Sequence, residues 1–140
     1  MDEKKNFIRD NQTDTGGFAN RAGAPDPYYS LFGFFLSEAL SLTELLPPLK
    51  KFVLTQVDRD NLGDIDFFSI AILYSQLFPK DDHTKLLRKK IKTMLKNSYT
   101  PSKQPVGIPH HQEYTVFLGA LALFYLGDYF FLWKFINQAA

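Results

Sequence analysis

Three segments of this chain are apolar on nearly every side, and each is followed by a segment that is apolar on one side only. The first kind covers residues 28–41, 67–78 and 112–126. A helix that is apolar all round is buried, whereas a stripe at i, i+3, i+4 is typical of a helix that covers a core from outside. Aromatic–hydroxyl pairs open the buried helices at intervals of 39 and 46 positions: Tyr29-Ser30, Phe68-Ser69 and Tyr114-Thr115. This spacing predicts an all-α fold of three stacked helical hairpins.

Proline, glycine and acidic residues mark the limits of the one-sided helices. Pro47-Pro48 suits the first turn of a helix and would break its interior, so we expect the first of them to begin there. Asp81 or Asp82 can cap the second. Gly127 is predicted as the C-terminal cap of the third buried helix, with a last short helix over residues 128–137.

Composition indicates a single globular domain. The chain of 140 residues is long enough to bury a core, and we expect a domain over residues 16–140 behind a polar, mobile leader over residues 1–15. Fourteen Phe and seven Tyr indicate an aromatic interior or an aromatic-lined cavity. A net charge of +1 gives no electrostatic reason to expect a nucleic-acid partner.

Two further features bear on the compartment. The chain has no cysteine, which excludes disulfides and thiolate metal sites and fits a cytoplasmic protein. The apolar stretch over residues 116–136 is interrupted at Gly127-Asp128 and is then too short to cross a bilayer. We therefore expect a cytoplasmic protein without a membrane span.

A glycine-rich loop leads into the first buried helix. Gly16 and Gly17 allow positive φ angles and the close approach of a ligand or of another chain segment. The side chains that the loop brings to the helix N-terminus, where backbone amides favour anions, are Arg21, Asp26, Tyr28 and Tyr29. We predict a ligand-binding site made of these four residues. The alternative is structural: the aspartate caps the helix and pairs with the arginine, and the tyrosines pack.

The string Gly-Gly-Phe-x-x-Arg, followed by Asp-x-Tyr-Tyr-Ser, resembles the repeats of protein prenyltransferase β subunits. Those subunits belong with terpene cyclases to the α/α-toroid superfamily. The best match covers residues 16–40. The resemblance implies inner and outer helices and an isoprenoid or other apolar ligand on an inner aromatic surface. It also implies that Arg21 and Tyr29 contact a lipid diphosphate while Asp26 orients the loop; the family's lysine three positions after the arginine is Ala24 here.

The same resemblance implies a zinc site that this sequence does not complete. In the family, an aspartate, a cysteine two positions later and a histidine in the next repeat hold the metal. Asp26 matches the first ligand, but Tyr28 and Ile65 stand at the other two positions. One ligand of three cannot form a tetrahedral thiolate site. We therefore expect no zinc cofactor and no zinc-dependent chemistry.

The polar loop before the second buried helix suggests two other chemistries. The spacing of an EF-hand calcium loop is present around Gly63 at Asp58, Asp60, Asp64 and Asp66. Leu62 and Ser69 stand where the fifth and twelfth positions need oxygen ligands, so calcium is the weaker alternative. The cyclase acid motif Asp-x-Asp-Asp has its nearest counterpart at residues 58–61, which end in Asn.

Three functions follow from these patterns. The leading one is a prenyltransferase-like domain that lacks the zinc chemistry and binds an apolar, isoprenoid-type ligand or a protein partner on its inner aromatic surface. The alternatives are a subunit of a prenyl-group transferase or terpene cyclase completed by another chain, and a degenerate calcium-loop protein. Three hairpins form about half of a closed ring. We therefore expect self-association or a partner subunit to cover the apolar edges.

Overall fold

A computed structural model describes residues 2–98 and 110–139, with the side chains of 98, 110–112 and 138–139 excepted. Every regular element in this part of the chain is helical, which confirms the all-α prediction. The helices are α1 Asp2–Asp10, α2 Pro27–Ala39, α3 Leu46–Gln56, α4 Asp64–Leu77, α5 His83–Ser98, α6 His110–Tyr125 and α7 Tyr129–Ala139, with a 3₁₀ turn at Thr43–Leu45.

Helix α4 forms the centre of the fold. Ten of its fourteen residues are buried, in keeping with a segment that is apolar all round. Helices α2 and α6 pack along it, α3 covers α2 and α4, α5 covers α4 and α6, and α7 packs on α6. The buried helices of the sequence pattern therefore pack side by side, and each is followed by a helix that lies over it.

Helices α2 and α6 also reach each other through aromatic side chains. The hydroxyls of Tyr28 and Tyr114 share a hydrogen bond near the N-terminal ends. Near the C-terminal ends, the rings of Phe35 and Tyr125 lie with centroids 6.0 Å apart. The contacts at both ends help to enclose α4.

The segment that was expected to be a leader contains helix α1. Ile8 is only 5% exposed and belongs to the hydrophobic core, and α1 packs on α2. Arg9 donates a hydrogen bond from Nε to Glu44 Oε1 at 2.9 Å. One buried apolar side chain and one ion pair thus attach this polar segment to the domain.

The glycine loop packs onto α3. Gly16 has φ +94°, and a Cβ atom there would lie 1.9 Å from the carbonyl oxygen of Pro48. Gly17 does not have a positive φ, but a Cβ on it would lie 2.7 Å from the ring of Phe52. The close approach that the glycines permit is therefore to the chain's own α3.

The same loop is fixed to α2 through Phe18. Its buried backbone N–H donates to Ser30 Oγ at 2.8 Å. Its ring lies against Gly33, where a Cβ would come within 2.4 Å of the ring carbons. Phe18 thereby closes one side of α2 and forms part of the surface between α2 and α1.

Most predicted helix limits are confirmed, and one start is wrong. The proline pair lies in the first turn of α3, and Gly127, at φ +82°, follows α6 as its C-terminal cap. Asp81 Oδ1 accepts from the N–H of His83 at 2.8 Å. Helix α4 begins at Asp64 rather than Phe67, because the carboxylate of Asp64 is favourable in a first helical turn.

Candidate functional site

An apolar groove lies between α1, the glycine loop and α2, and we call it the α1–α2 groove. Its volume is about 320 Å³. The side chains that define its character are Phe7, Phe18, Arg21, Tyr29, Phe32 and Leu36. Phe18 is buried, whereas Phe7, Phe32 and Leu36 are between 46% and 68% exposed. The groove therefore has a fixed apolar base and an exposed apolar rim.

Arg21 is the cation of this groove. It sits in a tight turn in which Asn20 Oδ1 accepts from the N–H groups of Ala22 and Ala24 at 2.9 and 3.1 Å. The Arg21 side chain forms no hydrogen bond or ion pair with any other described residue. A guanidinium with five donors is thus exposed at the edge of an apolar surface, where its donors are open to an external ligand.

Asp26 has the structural role that the alternative interpretation assigned to it. Its Oδ1 accepts from the backbone N–H groups of Tyr28 and Tyr29 at 2.8 and 3.0 Å, which makes it the N-cap of α2. No ion pair joins Asp26 to Arg21, so that part of the alternative is wrong. Because the first free amides of α2 already bind the chain's own carboxylate, they are not open to an external anion.

Tyr28 does not line the α1–α2 groove and instead joins α2 to α6. Burial, and then the hydrogen bond with Tyr114, raise the pKa of its phenol to about 12. It lines an open hollow where the N-terminal ends of α2, α4 and α6 meet, together with Asp26, Asp64 and Asp66. Three carboxylates in this hollow disfavour an anion there.

The four predicted site residues therefore divide into two groups. Arg21 and Tyr29 come together at the groove, while Asp26 and Tyr28 serve the start of α2. The sequence reasoning missed Phe7, which lies on the predicted leader. The adjacent apolar pair Phe7-Ile8 in an otherwise polar segment was the available signal.

The structure does not gather the four aspartates of the calcium-type loop. Asp64 and Asp66 lie in the first turn of α4, whereas Asp58 Oδ1 lies 3.7 Å from His83 Nε2. Among the described residues, no three or more His, Asp and Glu side chains lie together in a way that could hold a metal ion. Ile65, at the zinc-histidine position, is partly buried against the core.

Asp66 has an unusual environment that the sequence did not indicate. Burial, followed by the negative charge of Asp26, raises the pKa of its carboxyl, and the charge of Arg59 opposes this effect. The three side chains line a polar cavity of about 400 Å³ beside α3. The carboxylates of the first and second hairpins are thus close enough to interact electrostatically.

Helices α2 and α6 leave part of their apolar surface uncovered. We call this the aromatic face; it comprises Phe32 and Leu36 on α2 and Phe117 and Phe124 on α6, each 46–57% exposed. Ring contacts run from Phe32 through Tyr28 and Tyr114 to Phe117. The α1–α2 groove opens beside the α2 part of this face.

No family model, no curated protein and no solved structure matches this chain. Within residues 2–98 and 110–139, none of the helices has the length and hydropathy needed to span a membrane.

Proposed function

We propose that this domain binds an apolar ligand that carries an anionic group, with the α1–α2 groove as its site. The apolar part lies along Phe18, Phe32 and Leu36, and the anion is bound by Arg21. One observation carries the proposal: an exposed arginine without a partner among the described residues lines the apolar groove. Tyr29, which is 38% exposed and also lines the groove, supplies a phenol at the same end of α2.

The chemical class of the ligand is an isoprenoid diphosphate or a similar anionic lipid. The resemblance of residues 16–40 to prenyltransferase repeats supports this choice, and so does the pairing of an arginine with apolar side chains. A planar guanidinium matches phosphate oxygens in a bidentate manner. Since Ala24 and Tyr28 replace residues that the catalytic family needs, we propose binding without prenyl transfer.

A toroid-type arrangement of the hairpins is part of the same proposal. In it, the aromatic face belongs to the inner surface of a half ring, and a second copy or a partner subunit covers it. Four exposed apolar side chains on two neighbouring helices support this, because an apolar patch of that kind marks an interaction site. The mass of the domain in solution, measured by light scattering, tests it; a monomer at all concentrations argues against a self-associated ring.

The ligand proposal is tested by titration calorimetry with farnesyl diphosphate, farnesol and inorganic diphosphate. We expect farnesyl diphosphate to bind more tightly than either fragment. The Arg21→Ala variant removes a charged hydrogen bond worth about 1.5–3 kcal/mol, so its affinity for the diphosphate lipid falls by about 10-fold to 100-fold. Its affinity for farnesol is unchanged, because the alcohol has no charge for Arg21 to bind.

Three variants make this test specific. Leu36→Glu places a carboxylate on the groove and abolishes binding of the diphosphate lipid. Leu54→Glu, at a leucine of α3 that is 50% exposed and lies outside the groove, leaves binding unchanged. Arg59→Ala removes a positive charge outside the groove and is the control for charge. If farnesyl diphosphate does not bind, or binds Arg21→Ala equally well, the proposal is wrong.

A further inference from the structure

Charge is distributed unevenly along this chain. Residues 1–82 contain eight Lys and Arg against thirteen Asp and Glu, whereas residues 83–140 contain eight against two. The overall charge of +1 is thus the difference between an acidic N-terminal part and a basic C-terminal part. The net charge of +1 therefore does not exclude an anionic partner that contacts only the C-terminal part.

Helix α7 exposes an apolar stripe in that basic part. Four large side chains of this eleven-residue helix are more than half exposed: Tyr129 at 60%, Phe130 at 71%, Trp133 at 66% and Ile136 at 55%. The opposite side of α7 attaches it to the domain through the buried Phe135 and the partly buried Phe131. An ordinary surface helix buries its apolar side and exposes polar residues on the other. Helix α7 instead exposes large apolar side chains on the side that faces away from the domain.

Lysines lie beside α7 on the side that faces α5, and one of them reaches the stripe. Lys134 Nζ lies 4.9 Å from the centroid of the Phe130 ring in the stripe, whereas Lys92 and Lys96 lie 5.8 and 5.5 Å from the centroid of Phe131, on the side that attaches α7 to the domain. The three lysines line a cavity of about 370 Å³ whose one carboxylate, Asp128, is bound by Lys92 at 2.8 Å. Among the described residues, Lys96 and Lys134 have no carboxylate partner.

We infer that α7 docks on the surface of an anionic lipid bilayer, with its apolar stripe inserted at the headgroup level and Lys96 and Lys134 bound to lipid phosphates. Interfacial helices combine Trp and Phe on one face with lysines beside them. Trp and Tyr favour the interface, and lysine side chains extend along apolar surface to place their charge in the headgroups. This inference is independent of the ligand proposed for the α1–α2 groove.

The uncompensated lysines favour a lipid surface over a second copy of the chain. A symmetric pairing of two α7 helices would apply the same patch to itself and place the lysines of both copies in one interface. Like charges placed opposite each other disfavour such an interface. An anionic membrane instead attracts each lysine that lies near its surface.

Trp133 is the only tryptophan of the chain, so its fluorescence reports on α7 directly. The full chain is titrated with phosphatidylcholine vesicles and with vesicles in which about a third of the lipid is phosphatidylserine. We expect the emission of Trp133 to move to shorter wavelength with the anionic vesicles, and brominated acyl chains to quench it. Raising the salt concentration weakens the interaction because it screens exposed charges.

Matched variants separate the charge from the apolar contribution. Lys96→Gln/Lys134→Gln weakens partitioning by about 25-fold, or about fivefold for each lysine. The control Lys50→Gln/Lys51→Gln removes two lysines of α3 and leaves partitioning unchanged. Ile136→Ser lowers partitioning by about tenfold, whereas Leu54→Ser, at a similarly exposed position on α3, does not.

Two results overturn the inference. In the first, the emission of Trp133 does not respond to anionic vesicles. In the second, the emission shifts with protein concentration and not with lipid, which means that α7 is covered by a second copy. Circular dichroism of each variant without lipid shows whether the helical fold is intact.

Discussion

Replacing Gly16 and Gly23 by alanine tests whether the glycine loop serves packing. The two glycines have nearly the same backbone, with φ +94° and +85°. Their surroundings differ, because a Cβ on Gly16 would lie 1.9 Å from the carbonyl oxygen of Pro48, whereas a Cβ on Gly23 meets nothing within 4 Å. Gly23→Ala therefore measures only the free-energy cost of a side chain at positive φ. Gly16→Ala measures that cost together with the cost of the steric clash with α3.

The expected free-energy changes can be worked out from these contacts. A side chain at positive φ costs about 1–2 kcal/mol, and the lower entropy of the unfolded chain offsets about 0.4–1 kcal/mol of it. Gly23→Ala should thus lower the free energy of unfolding by about 1 kcal/mol.

At Gly16 the obstacle is backbone of the first turn of α3, so the loop must move. Gln12 Nε2 donates to the carbonyls of Gly16 and Leu45 at 2.9 Å each, and both bonds are lost. At about 1 kcal/mol each, Gly16→Ala costs about 3 kcal/mol in total.

Urea denaturation followed by circular dichroism at 222 nm measures both changes. We expect the same m value for the two variants and a difference of about 2 kcal/mol between their free energies of unfolding. If the two alanine variants agree within about 0.5 kcal/mol, the loop is not packed against α3 as described. The close approach of Gly16 would then need another explanation.

Two further predictions concern the helix ends. Ser41 has φ +58° and follows α2 in a Schellman motif, in which the N–H of Leu42 donates to the carbonyl oxygen of Ser37 at 2.8 Å. Because glycine adopts a positive φ without strain, Ser41→Gly should raise the free energy of unfolding by about 0.5–1 kcal/mol. Ser41→Ala should give no such gain. The carboxyl of Asp66 has a higher pKa in the folded domain than in the unfolded chain. Its ionised form therefore opposes folding at pH values above the folded-state pKa, and this effect is absent at pH values below the pKa of the unfolded chain. Asp66→Asn should therefore be more stable than the natural chain at pH 7, and urea midpoints should show the gain disappearing by about pH 3. A gain that persists at that low pH would assign the effect to packing.

The helices and their caps could be predicted from sequence because their signals are local. Hydropathy periods located α2 to α7, and Asp26 and Gly127 were identified at helix ends from residue type alone. The start of α4 was missed because its first turn is polar, so a search for apolar residues begins one turn too late. Helix α1 was missed for a similar reason, since Ile8 is its one buried residue.

The site could be predicted only in part because it depends on contacts between distant segments. The α1–α2 groove joins Phe7 to Phe32 and Leu36, and no local pattern relates them. The sequence also could not show that Arg21 lacks a partner, since a nearby aspartate was available at position 26. For α7, hydropathy showed an apolar helix but not which of its sides the domain leaves uncovered.

Chemical-shift mapping with farnesyl diphosphate on the ¹⁵N-labelled domain locates the ligand residue by residue. If the α1–α2 groove is the site, the amides that shift are those of residues 7–11, 18–21 and 29–36, and Arg21→Ala removes the shifts at the same ligand concentration. Shifts centred on α7, or no shifts at a concentration that saturates the calorimetric titration, would contradict the assignment of the groove as the binding site.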